Sequence, residues 1–535
     1  MPERIAAIRM TEENRRWWAL GAMCFALFMI MLDNTVVNVA LPSIQRSLDA
    51  TTSTLEWTVN AYTLSFAVLL VTGGRLGDIF GRRRIFLVGV VIFATASGAI
   101  GFSPSDTWLV VWRAIQGAGS ALMMPMTLSI ITNAFPPQER GKAIGTWAGV
   151  SAMALAIGPV VGGFLVEAVS WQSIFFLNLP VAVGAVVVAL FAVRESRDET
   201  VERTVDVPGI LTLTLGLAAL VLALVEGNSW HWGSTRELIL FGLAAVSLFA
   251  FVQIELRRRV PMVDFGFFRA RSFLGANAVA FIVSFAMLAM FFFLALYLQN
   301  IRGYTPLEAG IRFLPSTALV IVMGPLAGRL ADRVGPRPLM TLGLLVVSGA
   351  LFWMSHLTVS SSYASLLPGF MLMGMGIGLT MSPMSTAAMN SVEQTKAGVA
   401  SGILSQNRMV GGTFGIAVTG ALVSSLGGSK INELLPFLPA GDRARLTEGL
   451  GSGGVLHGVP PRVLAATHEA YVYALQYGLR VGAAVALLGA VLAWVLVASR
   501  VQAMVPGGVA AEPRHAGAQG ARRAEAPQDA EAVHA

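Results

Sequence analysis

Residues 32–42 read LDNTVVNVALP and close an apolar run that begins at Trp17. Asp33 is the one charged side chain in that run, with Asn34 and Asn38 following it. A carboxylate at bilayer depth costs about 2.5–3.5 kcal/mol on the insertion scale. Desolvation disfavours the charged form, which suits a group that takes up and releases a proton. Two readings follow: a proton-coupling residue of a transporter, or a polar lock between two helices. The rule that ionisable groups inside membranes are functional favours the first.

The rest of the chain agrees with a membrane setting. Of 535 residues, 55% are hydrophobic and 13% charged, and mean hydropathy is +0.68. A soluble domain carries roughly 25% charged residues. The net charge of +7 reads as basic inner loops and not as a nucleic-acid surface. One cysteine, Cys24, excludes an intrachain disulfide. No metal-ligand cluster, nucleotide loop, paired catalytic carboxylates or Ser/His constellation is present, so neither a cofactor nor an enzyme is expected.

Fourteen apolar runs are long enough to span a bilayer: 17–41, 55–73, 85–102, 108–132, 142–166, 171–193, 208–226, 236–256, 273–299, 305–328, 338–357, 363–389, 396–425 and 475–498. Loops after even-numbered spans are mostly basic, as at Arg82, Arg83 and Arg84, whereas those after odd-numbered spans carry few cations. The positive-inside rule then predicts a multi-pass protein of the cytoplasmic membrane with both termini in the cytoplasm. Residues 1–16 form an inner N-terminal segment, 426–474 a long outer loop with a mixed-charge helical stretch at 441–450, and 501–535 a disordered tail.

Residues 74–84 read GRLGDIFGRRR, and residues 328–337 read GRLADRVGPR. The Gly, Arg, Leu, Asp, Gly and final Arg recur at a constant offset of 254 residues. A parallel repeat of two like-oriented halves produces this pattern. The second copy follows span ten instead of span eight, so two spans have been inserted between six-helix halves. The expected all-α architecture is a first bundle at 17–193, two inserted helices within 194–272, and a second bundle at 273–500.

These loops resemble the loop motif of the major facilitator superfamily. LDNTVVNVALP resembles the first-helix signature of its fourteen-helix drug:proton antiporter branch, and WQSIFFLNLP at 171–180 is similar to that branch's sixth-span entry, with Gln172 in place of the usual Arg. The resemblance implies a latch role for Asp78, with Arg82, Arg83 and the repeat's Asp332 at the same gate. The residues allow that role too, since a carboxylate among guanidiniums can pair differently in two states. LVVWRAIQGAG at 109–119 resembles the family's fourth-helix motif, in which an Arg is implicated in proton transfer. Arg113 lies ~8 Å below the outer end of span four, and Asp33 ~9–12 Å below that of span one, so the two can meet. Gly149, Gly158, Pro159, Gly162 and Gly163 in span five resemble the antiporter motif, and small residues four apart let helices touch.

Candidate cavity residues are Asn34, Asn38, Gln116, Gln406 and Arg408. Arg408 sits in mid-span and could reach Asp33, substrate or backbone carbonyls. The methionines Met371, Met373, Met375, Met381 and Met384 read as helix packing or as an adaptable cavity wall. The expected activity is proton-coupled export of small amphipathic compounds from the bilayer-embedded protein by alternating access. The alternatives are a dedicated exporter of one metabolite or antibiotic and, remotely, a non-transporting sensor.

Overall fold

The computed structural model describes residues 12–50, 52–197, 206–227, 230, 233–258, 261, 263, 265–393, 396–452 and 460–499. The first half holds α1 (Glu12–Leu48), α2 (Thr52–Phe80), α3 (Arg82–Gly101), α4 (Asp106–Ala134), α5 (Arg140–Ala168), α6 (Ser173–Phe176) and α7 (Asn178–Ala192). A pair follows, α8 (Val207–Glu226) and α9 (Thr235–Arg257). The second half holds α10 (Arg271–Leu296), α11 (Pro306–Val334), α12 (Pro336–Met354), α13 (Tyr363–Asn390), α14 (Ala397–Leu434), α15 (Ala440–Ser452) and α16 (Pro461–Leu496).

Thirteen helices among the described residues have the length and hydropathy to cross a bilayer, with α6 and α7 counting as one broken crossing. Helix α5, 29 residues long and packed between α1 and α11, makes the fourteenth. Apolar side chains face lipid freely, as Phe191, Phe249 and Trp494 do. The fold is therefore all-α: two six-helix bundles, with α8 and α9 paired against each other and α8 resting on α2 and α14.

The bundles meet along two antiparallel helix pairs, α2 with α14 and α5 with α11, at the end that carries the basic loops. Glycine makes both contacts possible. A Cβ on Gly74 would collide with the Gly398 carbonyl oxygen, and one on Gly328 with that of Gly141. Gly145 lies equally close to Gly324 and Pro325. Backbones this near gain dispersion contact that needs no hydrophobic drive from lipid. The two pairs are copies related by the repeat, since Gly74 and Gly328 occupy equivalent positions in it. The N-terminal turn of α1 braces this end as well: Arg16 pairs with Glu139 at 3.1 Å, and the Lys142 ammonium lies 4.4 Å from the Trp17 ring centre.

Three expectations need correction, and for the methionines the packing alternative fits. The last two spans are longer than hydropathy indicates, because α14 runs to Leu434 and α16 begins at Pro461, shortening the loop placed at 426–474. Their outer turns are polar and held by contacts such as Lys430–Glu433 at 2.7 Å, which a search for apolar runs passes over. The methionines pack helices: Met373 and Met384 are enclosed in the core, and Met371 faces outward. A Cβ on Gly163 would meet no described atom within 4 Å, since it points about 100° away from Gly162, which meets Val36 of α1. Arg83 is no part of a latch with Asp78, as described below. The mixed-charge stretch at 441–450 is helical, within α15. Residues 1–11, the tail at 501–535 and the side chains of Asn38 and Pro159 lie outside the described residues.

The glycine contacts predict a measurable effect. In a Cys24→Ser background, Ser382→Cys places a thiol where the Ser382 hydroxyl now donates to the Gly141 carbonyl at 3.2 Å. Gly328→Leu should separate the bundles there and raise maleimide labelling of that thiol about ten-fold, equivalent to a ~1.4 kcal/mol population shift. Unchanged labelling would show that the glycines do not hold this end shut.

Candidate functional site

Asp33 and Arg113 meet inside the first bundle. Arg113 Nη1 donates to Asp33 Oδ2 at 2.6 Å, and the two residues are 1% and 4% exposed, Arg113 being the more enclosed. Neither charge is left bare. Gln116 Nε2 donates to Asp33 Oδ1 at 3.0 Å, and Asn178 Nδ2 reaches the same oxygen at 3.4 Å. Arg113 also donates to Gln116 Oε1 at 2.6 Å and, through Nε, to the Thr58 carbonyl at 2.9 Å. Its guanidinium lies 4.2 Å from the centre of the Tyr62 ring, whose hydroxyl shares a 2.9 Å hydrogen bond with Ser120. Ser97 closes the group, accepting from Gln116 at 2.7 Å and from Asn178 at 3.2 Å.

Local sequence explains the placement. Arg113 and Gln116 are three apart on α4 and share a face. Asn178 opens α7 after the break at Leu177, where Phe176 lies over Gly101 of α3 and leaves no room for a Cβ. Helix α5 brings glycine to α1 beside the acid: Gly158 sits against Thr35 and Gly162 against Val36. Gln116 is wholly buried and its amide is fully used, so it belongs to the ion-pair network and not to a cavity wall. Asn34 turns its amide to the Ile30 carbonyl at 3.0 Å, with Tyr62 adjacent.

A second arrangement lies at the basic end. Asp78 is 1% exposed and accepts from Arg82, with Nη2 at 2.7 Å and Nε at 3.0 Å. The same carboxylate accepts the backbone N–H groups of Gly398 at 3.0 Å and Val399 at 2.8 Å, the first turn of α14 in the other bundle. A carboxylate there satisfies unpaired donors and the positive end of the helix dipole together. Arg83 instead reaches the Val193 carbonyl at 3.2 Å, while its backbone N–H and that of Arg84 donate to Glu195. One residue beyond Arg82 it projects from a different face of α3, toward the end of α7. The repeat's Asp332 stands beside the first turn of α5, against Gly141 and Lys142. Its Oδ1 takes no hydrogen bond among the described residues, and Pro336 occupies the position that Arg82 holds in the first copy. Arg140 and Asn390 complete the contact with a 2.9 Å bond between bundles.

In α14, Arg408 has an enclosed Nε with no hydrogen-bond partner, and no ion pair joins it to Asp33. Gln406 is 7% exposed, and neither polar atom of its amide has a hydrogen-bond partner among the described residues. Asn178, Ser97 and Tyr62 were not singled out from the sequence. A single Asn in the apolar stretch at 171–193 was the available signal, whereas a Ser and a Tyr in such runs carry none.

Residues 23–416 match the sequence profile of the Major Facilitator Superfamily. The chain is 34% identical over 491 residues to the tetracenomycin C resistance and export protein of Streptomyces glaucescens, covering 90% of this chain and 91% of that one. It is 38% identical over 407 residues to the multidrug resistance protein Stp of Mycobacterium tuberculosis (strain CDC 1551 / Oshkosh), covering 76% and 75%. The crystal structure of the human organic anion transporter MFSD10 shares the fold, with a TM-score of 0.62 at 14% identity, over 91% of this chain and all of that one. Extended matches of this kind, over a helical chain with a repeated loop motif, place this protein in the Major Facilitator Superfamily.

Proposed function

We propose that this protein is a proton-coupled efflux transporter of the cytoplasmic membrane, carrying small amphipathic compounds outward by alternating access. The single observation that carries the reading is the buried Asp33–Arg113 pair, one acid and one base enclosed in the first bundle at 2.6 Å. The positive-inside rule supports a latched end facing the cytoplasm, with both termini on that side. The glycine contacts and the Asp78 latch then describe a protein closed toward the cytoplasm.

The chemistry follows from what each state can hold. Ionised, Asp33 is satisfied by Arg113, Gln116 and Asn178. A proton arriving from outside neutralises Asp33 and loosens its hold on the guanidinium, which keeps its contacts with the Gln116 oxygen, the Thr58 carbonyl and the Tyr62 face. Reversal after the bundles rock releases the proton inward. The membrane potential supplies about 2.3 kcal/mol per charge per 100 mV. Asp33→Asn should abolish proton-driven dye efflux from proteoliposomes while the protein still inserts; flux at the wild-type rate in that variant would end this reading. A cargo restricted to one compound is the second reading, favoured by the antibiotic in the name of the Streptomyces glaucescens relative. A substrate panel separates the two.

Removing one member of a buried pair costs about 3–5 kcal/mol, because the other is left uncompensated. Arg113→Ala should therefore lower the melting temperature, and Asp33→Asn combined with it should recover most of the loss. Additive effects in that cycle would show that the two residues are not coupled.

The two latches are unequal. Asp78→Ala removes an anion that holds Arg82 and two N–H groups of α14, so efflux should fall about ten-fold, in line with loss of a partly buried helix-end charge worth up to ~2 kcal/mol. Asp332→Ala should have a smaller effect. Initial efflux rates at matched expression test the order.

A further inference from the structure

The Asp33 carboxylate is committed to Arg113, so it offers no free anion to a cationic cargo. In the second bundle α11 carries its acids only at its two ends, Glu308 and Asp332, and α16 carries Glu469 in its outer quarter. Helices α10, α13 and α14 carry one acidic residue between them, Glu433, at the outer end of α14. What the second bundle does offer is Gln406. It lies about 14 Å along α14 from its cytoplasmic start. One turn before it, Gly402 meets the α2 backbone at Leu70 and Val71. The next residue, Asn407, donates to Asn277 of α10 at 2.9 Å. Gln406 therefore projects between the α2 and α10 directions, into the angle where the two bundles face each other above the closed end. Two turns further out on α14, Phe414 is 39% exposed, with its ring 5.9 Å from Phe281 and 6.4 Å from Phe285.

An amide enclosed with both donor and acceptor unused is a costly arrangement, since buried polar groups are otherwise paired. No described neighbour satisfies it, and a ligand with an oxygen edge can. Resting on the efflux reading above, we propose that Gln406 is the polar anchor of the substrate site, and that its cargo is an aromatic compound without positive charge that bears carbonyl or hydroxyl oxygens. The flat ring lies against the phenylalanine wall while the oxygens exchange hydrogen bonds with the Gln406 amide.

The test compares full-length wild type with Gln406→Leu, using dihydroxyanthraquinone and ethidium as probes. Binding is read in detergent by quenching of tryptophan fluorescence. The variant should bind the quinone about ten-fold more weakly, as expected for loss of a buried hydrogen-bonded contact. Ethidium should bind weakly to both proteins. Ligand-free Gln406→Leu should melt no lower than wild type, since leucine removes an unpaired polar group. A lower melting temperature would assign Gln406 to helix packing and overturn the proposal, as would unchanged quinone affinity or equally tight ethidium binding. Proteoliposome flux separates this inference from the reading it rests on. Gln406-dependent binding without proton-driven flux keeps the anchor and removes the coupling. Wild-type proton-driven quinone flux in Gln406→Leu keeps the coupling and removes the anchor.

Discussion

The structure is organised by the cost of enclosing an ion pair. A carboxylate and a guanidinium taken from water lose several kcal/mol of solvation each, and their attraction offsets this only when the remaining donors and acceptors are filled. Here they are filled from five helices: Asp33 on α1, Thr58 and Tyr62 on α2, Ser97 on α3, Arg113 and Gln116 on α4, and Asn178 on α7. That requirement accounts for local features that look unrelated. The sixth crossing breaks at Leu177, which sets Asn178 toward the acid. Glycines on α5 let it lie on α1 beside Thr35 and Val36. The first bundle is built to keep one buried carboxylate satisfied.

The second constraint is that two bundles must touch firmly and still part. Hydrophobic burial cannot do this in lipid, where tails solvate leucine as well as another helix does. Glycine lines bring backbones together at Gly74–Gly398 and Gly141–Gly328, and charges on helix ends fix the register. Each half contributes a carboxylate to the first turn of a helix in the other: Asp78 to α14, and Asp332 to α5. The repeat motif is therefore an interface device, whose aspartate acts on the opposite half and, in the first copy, also holds Arg82 of its own. The divergence between copies, Arg82 against Pro336, makes one side tighter than the other.

Much of this was legible in the residues, for physical reasons. Charged groups are so costly in a bilayer that Asp33 and Arg113 stand out, and helix rise alone brings them to one depth. Glycines four apart announce helix contacts, but not which helix: Gly141 and Gly145 meet α11, whereas Gly158 and Gly162, further along the same helix, meet α1. The crossover arises where α5 leaves one neighbour for the other, a property of tilt that spacing does not record. Arg83 was misplaced because composition counts charges without their faces. Span limits failed at the outer ends of α14 and α16, where helices continue beyond lipid on polar sequence.

One helix joins the two constrained regions. Arg113 lies near the outer end of α4, and the carbonyl groups of Thr132, at its inner end, and of Phe135, just beyond, accept from Arg140 Nε at 3.1 and 3.2 Å. Arg140 in turn donates to Asn390 of the other bundle at 2.9 Å. The helix between them is 29 residues long and contains Pro125, which removes a backbone hydrogen bond toward its inner third. A change in what Arg113 binds alters the forces on the outer part of α4, and any resulting tilt displaces the carbonyls that position Arg140. In the proposed cycle, protonation at one end and separation of the bundles at the other would share this helix as a mechanical element. Its stiffness on either side of Pro125 decides how much of the motion arrives.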